Sequence, residues 1–166
     1  VKGGNNMATE LLIQEQEIEE MATGENGEIA SILNGYLFNH VYPNQLGRLF
    51  DGRTTFEMQP AATKREPDLA FVAAYRLPNR VRDVVKLAPD LAVEIVSPND
   101  KFFEVEEKAL EYLKSGVRLV WVISPLSKAV FVYHPDVEVP DVIGLSDELD
   151  GENVIPGFKL KVSALF

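Results

Sequence analysis

The spacing of apolar residues changes along the chain, and each change marks an element. From Thr23 to Val41, Ile29, Ile32, Leu33, Tyr36 and Leu37 recur at three and four residues, with His40 ending the stripe. That period predicts an amphipathic helix. Glu25 and Glu28 fall in its first turns, where negative charge suits the helix dipole, and Pro43 ends it. Between Thr9 and Met21 the period is nearer two, which predicts two short strands turning near Gln14–Gln16. A helix is the alternative there, because Glu, Gln and Leu are good helix formers.

Leu46–Phe50 and Thr54–Met58 read as strands, and Asp51-Gly52 between them predicts a hairpin. Asp68–Tyr75 and Leu91–Val96 are the two most apolar extended runs of the middle, joined by an irregular loop. Phe103–Ser115 has the helical period, with Gly116 in the closing position. Leu119–Ile123 and Ala129–Tyr133 follow as strands around a Pro125–Lys128 turn, with Trp121 and Phe131 expected to pair across them. The tail from Pro135 is turn-rich, with a short strand at Phe158–Val162 and with Leu165 and Phe166 tucked against the body. Residues 1–8 read as a flexible lead-in and residues 9–166 as one domain, long enough to bury a core.

Composition narrows the chemistry. The chain has no cysteine and only His40 and His134, so a metal site must rest on carboxylates, which favour magnesium, manganese or calcium. No apolar run approaches about 18 residues, which argues against a membrane span. No signal-peptide pattern is visible, so a cytoplasmic protein is expected. Sixteen basic and 26 acidic residues give a net charge of -10, which disfavours broad, non-specific nucleic-acid binding. Seven acids and no base lie between Glu10 and Glu28, which reads as a solvated face. The loop between the two apolar runs is locally basic, with Arg76, Arg80, Arg82 and Lys86 against Asp83, and is the candidate DNA-binding patch.

Two acids do not belong in plain core strands. Glu94 stands between Ala92 and Val96 on one face of its strand, with Leu91, Val93 and Ile95 on the other. A buried carboxylate needs a cation or a proton partner. If the strands pair antiparallel, Asp68 comes opposite Glu94, and two converging carboxylates can hold a divalent ion. Lys108 borders the stripe Val105, Ala109, Tyr112 and Leu113, so its ammonium can aim inward at Glu94, or outward at Glu104 or Glu111. An inward Lys108 is expected within one water-mediated contact of Glu94 or Asp68, about 3–6 Å. Asp90 shares the face of Glu94 but lies about 13 Å away along the strand, too far for one metal. It reads as a strand-opening or supporting acid.

The segments PDLAFV, APDLAVEIVSPND and KALEYLKSGVRLVWVISP, with the ending VIPGFKLKVSALF, resemble the Uma family. That family is a branch of the restriction-endonuclease-like PD-(D/E)XK superfamily. The resemblance implies an α/β, restriction-endonuclease-like fold with a central mixed β-sheet flanked by helices. It also implies a magnesium (Mg2+) or manganese (Mn2+) endonuclease acting on DNA. Asp68 and Glu94 would be the metal ligands, and Lys108 would take the place of the superfamily lysine, whose strand position holds Val96. The family often has histidine where Asn26 stands, and Asp-Gly where this chain has Gln14-Glu15. Glu28 matches an extra helical acid of some superfamily members, with plain surface exposure the alternative. The expected partners are DNA and, as an open assembly, a second copy in a homodimer. The rival readings are a non-catalytic member of the fold that binds or assembles, and a metal-dependent phosphatase acting on small substrates.

Overall fold

A computed structural model describes residues 24–77 and 81–166. The expected N-terminal strand pair and residues 78–80 lie outside them. Helix α1 runs Gly24–Val41. Five strands follow: β1 Gly47–Asp51, β2 Phe56–Met58, β3 Thr63–Arg65, β4 Leu69–Ala73 and β5 Leu91–Ile95. Helix α2 is Phe102–Lys114. The chain closes with β6 Leu119–Ser124, β7 Ala129–Tyr133, β8 Asp141–Ile143, β9 Glu148–Asp150 and β10 Lys159–Lys161.

Six strands form one mixed sheet in the order β1-β4-β5-β6-β7-β8. β5 and β6 are parallel, joined by α2, while β4 runs antiparallel to β5. Alternation along each strand divides the core into two layers. Leu91, Val93 and Ile95 pack with Trp121, α1 and the β9–β10 ribbon on one face. Ala92, Val120 and Val122 pack with Val105, Ala109 and Tyr112 of α2 and with Phe56 and Met58 on the other.

Local signals set the element ends. α2 stops where Gly116 takes φ +95°, and the Gly116 and Val117 amides return to the Leu113 and Tyr112 carbonyls at 3.0 and 3.1 Å. This paired closure is glycine's usual role at a helix end. Gly47 is required for another reason: a Cβ there would meet the Val72 carbonyl at 2.2 Å, so β1 could not approach β4.

Three expectations need correction. Asp51-Gly52 does turn the chain, but β1 pairs with β4 and β2 with β3, so no hairpin forms between them. Burial of Phe56 and Met58 in the α2-side layer outweighs the local turn signal. Phe131 lies opposite Val122, while Trp121 lies opposite Val132 and faces the α1 layer. The strand expected to reach Tyr75 ends at Ala73, and Ala74–Arg76 form a 3-10 turn. At the C-terminus Leu165 is buried and Phe166 packs against the α1-side layer, as expected.

Candidate active site at the exit of β5

The antiparallel register places Leu69 opposite Val93, so Asp68, one residue before β4, arrives beside the end of β5. Its Oδ2 accepts a hydrogen bond from the Ile95 amide at 2.7 Å. This bond fixes the carboxylate across the strand pair, next to Glu94. Glu94 projects from the opposite strand face to Ile95, into the layer under α2.

Two side chains one helical turn apart on α2 meet Glu94. Lys108 Nζ donates to Oε2 at 2.6 Å, and the Tyr112 hydroxyl donates to Oε1 at 2.7 Å. The expected inward direction of Lys108 is therefore observed, as a direct contact shorter than a water-mediated one. Its alternative partners are engaged elsewhere: Glu104 with Lys101 at 3.2 Å, and Glu111 with Arg65 at 2.5 Å. Tyr112 was expected only as an apolar stripe residue. A fully buried tyrosine needs a partner for its hydroxyl, and its position four residues after Lys108 was the available signal.

Burial sets the electrostatics. Desolvation raises the Glu94 carboxyl above its ordinary range despite the charge of Lys108, and the nearby Asp68 charge adds to the rise. Desolvation also raises Asp68, against the Ile95 hydrogen bond and the Lys108 charge. Burial, and then the Glu94 charge, lift the Tyr112 phenol far above its usual range, so it remains a donor. Two carboxylates that each resist ionisation, joined by one partly exposed ammonium, form a site short of positive charge.

That shortage can be compared with the donors available for a divalent ion. Among the described residues no group of three or more His, Cys, Asp or Glu side chains converges to hold a metal. Asp68 and Glu94 are two, and magnesium commonly binds through one or two carboxylates while keeping water and substrate oxygens. The donor set thus fits a magnesium- or manganese-type ion and not a zinc site.

The site opens outward. Glu94, Asp100, Glu104 and Lys108 line a cleft of about 160 Å3. Lys108 also borders a groove of about 530 Å3 between β3 and α2, lined by Lys64, Arg65, Glu107 and Glu111.

The proposed DNA-binding residues are not gathered here. Arg76 is tied to buried Asp90 at 3.0 Å. Arg82 and Lys86 are exposed, and Arg82 lines a separate hollow that shares Thr55 with the Lys108 groove. Arg80 lies outside the described residues. Asp90 is fully buried, held by Arg76, by Arg118 at 3.4 Å and by the Ala73 amide at 2.8 Å, which matches a supporting acid. Glu28 is exposed, and His40 contacts the Pro156 carbonyl at 2.9 Å. Asn26 is buried, and its Nδ2 donates to the Ile95 carbonyl at 3.2 Å and to Ser97 Oγ at 3.0 Å. It therefore braces the strand end that carries the site.

Comparison with known proteins bears on the fold and the family. Among solved structures, the chain is similar to one titled "a putative nuclease belonging to DUF820 from Anabaena variabilis ATCC 29413". The match has 26% identity and a TM-score of 0.78, covering 88% of this chain and 82% of that one. No curated protein matches. Among the described residues no helix is long and apolar enough to cross a membrane. Residues 4–163 match the profile of the Uma2 family, described as "Putative restriction endonuclease". The chain therefore belongs to the Uma2 family of restriction-endonuclease-like proteins.

Proposed function

We propose that this protein is a divalent-metal-dependent endonuclease that hydrolyses phosphodiester bonds in DNA at the exit of β5. The observation that carries the reading is the 2.6 Å contact between the Lys108 ammonium and Glu94. That contact supports a reading in which a lysine from the following helix serves the role that Val96 cannot.

Asp68 and Glu94 would hold magnesium or manganese, which when bound supplies Lewis-acid charge to a phosphoryl oxygen and to an attacking water. Lys108 has three N–H donors, of which one is spent on Glu94. The other two suit a phosphate oxygen and the water that attacks it, so the lysine stabilises charge as the bond to phosphorus forms. The Ile95 amide fixes Asp68 and the Tyr112 hydroxyl fixes Glu94, so both ligands are oriented before substrate arrives. Arg82 and Lys86 are the remaining candidates for contacts with more distant phosphates.

The binding-module reading draws support from one feature. Both Glu94 oxygens are already engaged by protein donors, which a catalytically silent, self-satisfied site would also display. A cleavage screen separates the two. Single-stranded, duplex and branched DNA are incubated with the protein in magnesium or manganese, with Glu94→Gln in parallel. Cleavage by the wild type alone supports the nuclease. Intact DNA throughout, or equal cleavage by Glu94→Gln, rejects it.

A further inference from the structure

A second hollow, of about 510 Å3, lies outside the carboxyl ends of the parallel strands β5 and β6. Its volume is in the range of small-molecule sites, about 300–1,000 Å3. In α/β sheets the crevice beyond parallel strand ends is where ligands are held. Here it is walled by Glu25 and Asn26 from the first turn of α1 and by Phe102 from the start of α2. Val96, Pro98, Pro125 and Leu126 give it an apolar lining.

Three features point to its occupant. Asp100 lines both this hollow and the cleft holding Glu94 and Lys108, so the two are neighbours across one residue. A strand whose phosphate sits at Lys108 would carry its adjoining base towards the hollow. Phe102 is 38% exposed while its ring packs on Phe131 at 4.8 Å, and Leu126 is 99% exposed. A ring held from one side with apolar surface left open suits stacking by a flat group. The exposed polar members of the lining, Glu25 and Asp100, are acceptors. They suit an amine-bearing edge and disfavour a phosphate.

We propose that this hollow receives an unstacked nucleobase of the substrate strand, stacked on Phe102, and that it favours bases with an exocyclic amine over thymine. The proposal rests on the nuclease reading, because it uses a phosphate placed at Lys108. It adds a base-reading subsite to a cleft that by itself contacts only the backbone. Asn26 couples the two, since it braces both the Ile95 carbonyl beside the cleft and Ser97 on the hollow's wall.

The test uses the full chain in EDTA, so that binding is read without cleavage. Fluorescence anisotropy compares ten-nucleotide dC, dT and baseless tetrahydrofuran strands. The expected order of affinity is dC, then dT, then the baseless strand, with about tenfold or more between first and last. Phe102→Ala and Leu126→Ser should each shrink that gap, and the exposed Leu126 position keeps the result independent of folding. Equal affinity for dC and the baseless strand, or a gap unchanged in both variants, overturns the subsite while leaving the metal cleft standing. Equal affinity for dC and dT overturns the amine preference. Absence of binding to all three strands overturns the subsite, and the metal-dependent cleavage screen then judges the nuclease reading separately.

Discussion

The two ends of β5 carry acids on the same strand face, and they are built differently. At the start, Asp90 is fully buried and receives two arginines and a backbone amide. At the exit, Glu94 is nearly as buried but receives one lysine and one tyrosine, with the Asp68 carboxylate beside it. The first acid is met by two full positive charges from β4's end and β6's start, so it ties strands together. The second shares a single partly exposed cation with another acid, and it lines an open cleft. An acid surrounded by more cation than it needs supports the fold. A pair of acids with too little cation has capacity left for an ion or a substrate.

The largest effect should come from the start of the strand. Asp90→Ala leaves the partly exposed Arg76 and Arg118 and the buried Ala73 amide without their common partner, and removal of one partner from a buried ion pair costs about 3–5 kcal/mol. Urea denaturation should show that loss. Wild-type stability in Asp90→Ala would erase the structural side of the comparison.

At the exit, Lys108→Met should lower the rate of DNA cleavage by about a hundred- to a thousand-fold, the cost of losing one preorganised transition-state donor. Calorimetry should find metal binding retained, because the lysine is not a ligand. Cleavage at the wild-type rate would leave Lys108 as a structural counterion like the arginines.

Tyr112→Phe removes a hydrogen bond to a charged carboxylate, an effect of about 1.5–3 kcal/mol on stability. It should also weaken metal affinity, because Glu94 loses its orientation. A variant as stable and as metal-competent as the wild type would mean that the hydroxyl contributes packing only.

The smallest effect is a pH dependence. Asp68 and Glu94 are both held above their ordinary carboxyl range, chiefly by burial. From the unfolded values near 3.8 and 4.5 upward, the native state keeps protons that the unfolded state has released. Metal-free stability therefore falls as pH rises through that window and levels off above the raised native values. The double variant Asp68→Asn with Glu94→Gln should lack this fall, so its stability relative to wild type should rise with pH. Denaturation midpoints measured in EDTA across the window check the sign; a variant-minus-wild-type difference that falls with rising pH contradicts it.

Much of this site was legible in residues. Alternation in LAVEIV placed Glu94 on one strand face, and the antiparallel register brought Asp68 to it. The α2 stripe put Lys108 at its edge, with inward and outward directions both open, and docking of the helix on β5 turned it to Glu94. Arg76 was misread as substrate-facing because loop composition says nothing of pairing, and its partner Asp90 lies 14 residues on. The Asp51-Gly52 hairpin failed because a turn dipeptide is local, while strand choice followed the burial of Phe56, Met58 and β4. Tyr112 was counted as apolar surface, and its hydroxyl became visible as a site group only once the helix was docked on β5.

Asp68 and Glu94 at the exit of β5 are proposed to hold one divalent ion together. Manganese chloride titrated calorimetrically into the wild type, Asp68→Asn and Glu94→Gln tests it most directly, with circular dichroism confirming that all three fold. Saturable binding by the wild type and none by either variant is expected. Binding undiminished in both variants, or absent from the wild type, would contradict it.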